Sequence, residues 1–277
     1  PTFTSITNTG PSNPATSITF NTVASDPDGN NDVKLVLCKT PGITGTECDG
    51  GASDTYCSSS FVSSNPSCSW AIPEVYADGP YNSYPYIFDL TDKASDGTLQ
   101  GQAHVFTVNN VAPTVTSLTI NNNEDIDLIA GSTKAVNLIT SVKDNNGCLN
   151  NEISTVTGYL YRSSIGYTSC NSATNNNSNN CYAEISCSLI PSSCSGDTDT
   201  IADYTCTANL EYYTDSTDSS STYSSESWLA TSKAIDNGLG TGGTNPLSGT
   251  LSIMGGVNVN SLLAFNITNT LSYGTLL

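Results

Sequence analysis

Positive charge is what this sequence lacks most. Seven Lys and Arg stand against 25 Asp and Glu, a formal net charge of -18, yet only 12% of the 277 residues are charged, where an average soluble chain has about 25%. The imbalance comes from missing cations, because carboxylates are not abundant. No Lys/Arg cluster exists to meet phosphates, which excludes nucleic acid as a partner. The same shortage argues against binding to an anionic membrane surface. It also argues against a hyperthermophilic protein, which relies on ion-pair networks and avoids Asn.

Histidine is nearly absent as well: His104 is the only one. A Ser-His-Asp or Cys-His arrangement would have to be built on it alone. It sits in the alternating run 103–108, where a place on a strand face is expected. Sequence spacing does not reveal carboxylate pairs suited to glycoside hydrolysis, but they would be unusual in modules this small and repetitive, and with the other catalytic motifs absent no enzyme is expected. Long apolar runs are missing too. The longest clusters, such as 262–265, have four residues, far short of the roughly 18 that a membrane helix needs. With no signal peptide and no initiator Met, the expectation is a mature or trimmed chain.

What is present in their place is Ser, Thr and Asn, at 40, 37 and 30 residues. Hydrophobic residues make up 36%, compatible with β-sandwiches in which every second residue faces water. Short alternating runs recur at 18–23, 33–37, 84–90, 104–108, 115–120, 153–161, 204–212 and 228–234, punctuated by Asp-Gly, Asn-Gly, Gly-Gly and Pro turns. No stretch of useful length has helical periodicity. Trp70 and Trp228 are expected in the core.

The chain also repeats itself. Pro1-Thr2-Phe3-Thr4-Ser5-Ile6-Thr7 returns as Pro113-Thr114-Val115-Thr116-Ser117-Leu118-Thr119. Lys93-Ala94-Ser95-Asp96-Gly97 answers to Lys233-Ala234-Ile235-Asp236-Asn237-Gly238, and 23–26 answers loosely to 142–144. Two homologous modules follow, 1–112 and 113–243, the second enlarged by insertions such as 171–180. About seven strands per module predicts tandem immunoglobulin-like sandwiches. Residues 244–277 read as a β-strand extension or the start of a third module, and the whole as a piece of a longer array.

Ten cysteines divide evenly, Cys38, Cys48, Cys57 and Cys68 in the first module and Cys148, Cys170, Cys181, Cys187, Cys194 and Cys206 in the second. Even parity predicts disulfides within modules and an extracellular, oxidising setting. A zinc site is disfavoured, since no C-x2-4-C pair occurs. If 181–190 and 203–213 pair antiparallel, Cys187 faces Cys206. Cys170–Cys181 then closes the Asn-rich loop and Cys148–Cys194 is left by elimination. In the first module the simplest arrangement is nested, Cys48–Cys57 inside Cys38–Cys68.

Val23-Ala24-Ser25-Asp26-Pro27-Asp28-Gly29, with a Tyr-rich strand ending Phe88-Asp89-Leu90-Thr91-Asp92 and then Asp96-Gly97, resembles the PKD- and cadherin-like modules of prokaryotic surface proteins. The resemblance covers 1–112 well and the second module only through the repeat. It implies spacer and assembly units of a secreted or surface-anchored array. Asp26, Asp28 and Asp32 suit calcium, which takes six to eight oxygens in flexible geometry. Asp89, Asp92 and Asp96 could complete that site if strand ends meet at a domain joint, as in the modules it resembles. Asp-Pro-Asp-Gly is also a strong turn former without metal. The second module offers only Asp144-Asn145-Asn146-Gly147 at the matching place, a poorer set, and Glu124-Asp125-Ile126-Asp127 is a separate, weaker candidate.

Fourteen Tyr raise a carbohydrate-binding alternative through Tyr81 or Tyr212-Tyr213, although alternation places Tyr84, Tyr86 and Phe88 on one face suited to packing. Two glycosylation sequons begin at Asn176 and Asn266. The expected function is structural: a repeat-module glycoprotein of a cell-surface layer (S-layer), stalk or filament, with β-strand addition as the expected way of joining copies of itself. The strand offered would be Thr2 to Thr7, or one carrying Leu262, Leu263, Phe265 and Ile267. The alternative is a cell-surface adhesin that binds glycans.

Overall fold

Alternation becomes visible structure in the second strand, where Ile18, Phe20, Thr22 and Ala24 are buried while Asn21, Val23 and Ser25 face water. A computed structural model of the chain describes residues 1–28, 32–91, 94–95, 97–149, 152–172, 177–238, 248–252 and 255–263. It is all-β, about half strand, with one short helix. The first unit contains β1 (Thr2–Asn8), β2 (Ser17–Ser25), β3 (Val33–Cys38), β4 (Ile43–Thr44), β5 (Glu47–Cys48), β6 (Thr55–Ser58), β7 (Ser67–Ala71), β8 (Gly79–Asp89) and β9 (His104–Val108). A three-stranded sheet β1-β2-β7 and a four-stranded sheet β6-β3-β8-β9 share one core. Phe3, Ile18, Phe20 and Trp70 enter it from the first sheet, Leu35, Leu37, Ile87 and Phe106 from the second. Strand β8 is buried on both faces: Tyr86 and Phe88 pack with Val36, Cys38 and Cys48 on the side away from that core.

The second unit contains β10 (Thr114–Ile120), β11 (Ile126–Asp127), β12 (Lys134–Lys143), β13 (Ile153–Arg162), α1 (Gly166–Cys170), β14 (Cys181–Leu189), β15 (Ile201–Leu210), β16 (Trp228–Asp236), β17 (Ser248–Ser252) and β18 (Val259–Asn260). Its main sheet runs β10-β12-β15-β14-β13-β16-β17. That sheet folds round a core of Leu118, Ile120, Val136, Leu138, Leu160 and fully buried Trp228. Gly249 of β17 lies so close to the Pro113 carbonyl that a side chain there would collide with it, so the first and last strands of the sheet come together.

The repeat survives as register. In β1/β2, Thr2 faces Ser25 and Phe3 faces Ala24, with a bulge before Ser5. In β10/β12, Thr114 faces Lys143 and Val115 faces Val142, with a bulge before Ser117. One strand further, Cys68 faces Phe20 and Cys206 faces Leu138. In the other sheet, Val33 faces Asp89 as Ile153 faces Asp236. This corrects one alignment: the counterpart of Asp236 is Asp89, the last residue of β8, and not Asp96.

Two further expectations change. The first unit's disulfides are Cys38–Cys48 and Cys57–Cys68, sequential where a nested pair was expected. The cause is local: the β4/β5 hairpin turns tightly at left-handed Gly45 and returns Cys48 to the end of β3. Cys57 and Cys68 lie on β6 and β7, the edge strands of the two sheets. The second unit has Cys148–Cys194, Cys170–Cys181 and Cys187–Cys206, the last pair in register across β14/β15. The 244–277 segment also divides differently. β17 pairs with β16, β18 pairs with β11, and Val257 and Val259 fill the second core, so 248–260 completes the second unit. Leu262 and Leu263 follow it, the latter 80% exposed, whereas Phe265, Ile267 and Asn266 lie outside the described residues.

Candidate metal centre at the joint between the two units

Of the aspartates expected to hold calcium in the first unit, the four that are described do not converge. Asp26 accepts the Asp28 N–H at 3.1 Å, an ordinary turn contact, and Asp28 is exposed. Asp89 is buried, and one of its oxygens accepts both the N–H and the hydroxyl of Thr91, at 2.8 and 2.7 Å. Among the described residues, no three of Asp26, Asp28, Asp32 and Asp89 bring an oxygen each within 4.8 Å of one another. Asp92 and Asp96 lie outside the described residues, as does Asn176. Asp125 and Asp127 hold the C-terminal segment: Asp125 accepts the Asn258 N–H and Asp127 the Asn260 amide, both at 2.8 Å. Cys38, Cys48 and Asp54 do cluster. The sulfurs are bonded to each other, and Asp54 accepts hydrogen bonds from Thr40.

The poorer-looking motif of the second unit stands in the more demanding place. Asp144 follows β12, Glu152 precedes β13 and Asp236 ends β16, the positions of Asp26, Asp32 and Asp89 in the first unit. The local turns match: Asn146 N–H donates to Asp144 at 2.8 Å and Gly238 N–H to Asp236 at 3.0 Å. What differs is the neighbour. This pole of the second unit meets the 109–113 linker and the 73–78 loop of the first. Asn146 is the pin between them. Its amide donates to the Tyr76 and Asn109 carbonyls at 3.1 and 3.0 Å, and its carbonyl oxygen accepts the Val111 N–H at 2.7 Å. Gly147 follows at φ 123°, which a side chain would strain.

Burial makes the electrostatics unusual. Asp144 is 0% exposed and Glu152 7%. Asp144 Oδ2, Glu152 Oε2 and Asp78 Oδ2 are buried without a hydrogen-bond partner, and so is Asn110 Oδ1 in the linker. Desolvation pushes the Asp144 carboxyl up to about 7; the Asn146 N–H opposes this, and the charges of Asp236 and Asp78 add to it. Glu152 is pushed up to about 7 by burial and then by Asp78, Asp144 and Asp236. Asp78 is raised by burial and by Asp236. A buried carboxylate with a free oxygen costs several kcal/mol unless it holds a proton or meets a cation. No three of these carboxylates bring oxygens within 4.8 Å of one another. A cavity of about 160 Å³ lined by Ala77, Asn146, Glu152, Asp197 and Asp199 opens beside them. The donors are all hard oxygens, the chemistry that suits calcium: Asp144, Glu152 and Asp236 from the second unit, Asp78 and Asn110 from the first.

Other residues singled out by sequence have bland surroundings. His104 Nε2 lies 2.9 Å from the Asn8 amide, and burial lowers its pKa. Tyr81 stacks on Phe106 at 5.7 Å and donates to the Ala77 carbonyl. Tyr212 and Tyr213 are about half exposed and meet edge to face at 5.2 Å. Asp78 and Asn110 carried no motif; Asp144, Glu152 and Asp236 were reachable through the repeat once strand register was known.

No protein-family model and no curated protein matches the chain. Among solved structures it is similar to the purple acid phosphatase PPD1 from yellow lupin (Lupinus luteus) seeds, at 8% identity and a TM-score of 0.31, over 89% of this chain and 40% of that one. The chain thus spans less than half of that protein's length, and a likeness of this size carries no argument for or against catalysis.

Proposed function

We propose that this chain is an extracellular structural protein, two immunoglobulin-like modules of the PKD/cadherin-like kind whose joint is closed by calcium. The modules serve a surface layer, stalk or filament and carry no catalysis. The observation that carries this reading is that Asp78 of the first unit and Asp144 and Glu152 of the second, brought to one joint, each bury a carboxylate oxygen that accepts no hydrogen bond. Calcium needs ligands about 2.3–2.6 Å from the ion, closer together than these oxygens stand. Binding would therefore draw Asp78 and Asn110 of the first unit onto Asp144 and Glu152 of the second and stiffen the linker between them. The matching register of the two units and five disulfides, which point to an oxidising compartment, support the structural reading. Among the described residues no helix is long and apolar enough to cross a membrane.

The test is calcium titration of chelator-treated chain with thermal melts and small-angle scattering. Extracellular calcium modules bind at about 0.1–1 mM. Saturation a hundredfold above Kd adds about 2.7 kcal/mol, and the distribution of inter-unit distances should narrow. Asp144→Asn with Glu152→Gln should abolish both effects. An unchanged melt and an unchanged scattering curve at saturating calcium would sink the proposal. The exposed Tyr212-Tyr213 pair favours one second reading, an adhesin; glycan-array binding that disappears in Tyr213→Ala would establish it.

A further inference from the structure

We infer that the Cys148–Cys194 disulfide is the positioning element of the inter-unit joint, holding the 144–149 segment in the shape that receives the first unit. Three links tie this loop to the 194–200 loop: Asp144 N–H donates to the Thr200 carbonyl at 2.8 Å, Cys148 N–H donates to the Asp199 carbonyl at 3.0 Å, and the disulfide joins their flanks. The 194–200 loop is in turn shaped by the Asp199 carboxylate, which accepts the Ser195 and Gly196 N–H groups at 3.0 and 2.8 Å. Cys148 is two residues from Asn146, whose side chain makes all three of its hydrogen bonds to the first unit. Both sulfur-bearing residues are buried, in a cluster with Val115, Val142, Ile153 and Tyr204. The crosslink thereby anchors the joint loop to the second core.

Comparison of the two units separates this bond from an ordinary staple. Cys68 and Cys206 occupy equivalent positions, and their disulfides close the same side of each unit. Cys38–Cys48 and Cys170–Cys181 join residues only 10 and 11 apart. Cys148–Cys194 spans 46 residues. It has no counterpart at 26–32 of the first unit, where the sequence contains no cysteine. The crosslink accompanies the loop that bears a joint. Its effect on calcium rests on the proposed function; its effect on the joint contact does not.

The test compares Cys148→Ser/Cys194→Ser with the control Cys170→Ser/Cys181→Ser in the full chain. In chelator, the Val111 amide, bonded to Asn146, should exchange at least tenfold faster in the first variant. The Leu138 amide in the second core should report that the unit remains folded. Calcium affinity by calorimetry should fall about tenfold in the first variant and stay within twofold in the control. Unchanged Val111 protection in the folded first variant overturns the inference, as does an equal acceleration in the control. Should the first variant not fold, Asp199→Ala at a half-buried position, which frees the other loop, must accelerate Val111 exchange, and failure to do so overturns it as well. If wild-type chain binds no calcium but Val111 responds as stated, the calcium reading fails and the positioning role stands.

Discussion

Two carboxyl groups dominate the energetics of the joint, and their pH behaviour is opposite to that of most acidic residues. Asp144 and Glu152 are each pushed up to about 7, first by burial and then by neighbouring carboxylates, Asp236 and Asp78 beside Asp144, and Asp78, Asp144 and Asp236 beside Glu152. A carboxyl whose folded-state pKa lies above its unfolded value holds its proton more tightly when folded, so its contribution is complete below about pH 4 and is lost as pH rises through about 7. Chelator-treated wild type should therefore lose stability relative to Asp144→Asn between pH 4.5 and 8, with a constant difference above that. Paired thermal melts at these pH values check it; parallel curves would contradict the burial of Asp144. Saturating calcium should reverse the order at pH 8. Arg162 shows the other solution to the same problem. The chain's single arginine meets Glu226 at 2.8 Å and Asp215 at 3.4 Å and stacks on Tyr223 at 3.6 Å, so those carboxylates have a cation beside them.

Among the elements, β17 and β18 carry the clearest consequence. Their sequence reads as surplus strand because Gly255-Gly256 and the preceding turn residues separate them from the main run. In the fold they complete the second unit: Val257 exchanges backbone hydrogen bonds with Trp228, and Val259 is fully buried. Truncating Val259 to alanine removes two buried methyl groups and should cost about 2 kcal/mol, measurable by denaturant unfolding. A loss below a few tenths would place Val259 outside the core. Legibility at this scale was uneven. Alternation located eight of the eighteen described strands, the longer ones for the most part, and the antiparallel spacing predicted that Cys187 faces Cys206. The sequential pairing of Cys38 with Cys48 was hidden because it depends on a two-strand hairpin, β4/β5, too short to show any period.

For the whole molecule, the C-terminal boundary decides how assembly can be tested. Deleting 248–277 strips Val257 and Val259 from the second core and would abolish folding and assembly together. Truncation after Leu263 keeps every described contact of the second unit. If the last fourteen residues supply an assembly strand, that truncated chain should stay folded and monomeric while full-length chain forms fibres or sheets visible by electron microscopy. Regular assemblies from the truncated chain would exclude strand addition by that segment. The charge of -18 bears on this as well, since like-charged units repel over about 10 Å at moderate salt and a divalent cation reduces that repulsion where it binds.

Ten cysteines, even in number on either side of the chain's midpoint, and period-two alternation determined an all-β, disulfide-linked chain by composition and local order alone. These properties depend on neighbours along the chain, which a sequence displays directly. The tertiary structure alone decided which loop matters. Asp26-Pro27-Asp28-Gly29 has the richer carboxylate motif, but its exposed Asp28 is free to be hydrated. Asp144-Asn145-Asn146-Gly147 has the poorer one, yet the first unit is pinned onto it by Asn146 and shields Asp144 from water. Desolvation is set by what packs against a group, and the unpartnered oxygens of Asp78, Asn110, Asp144 and Glu152 are buried where the two units meet.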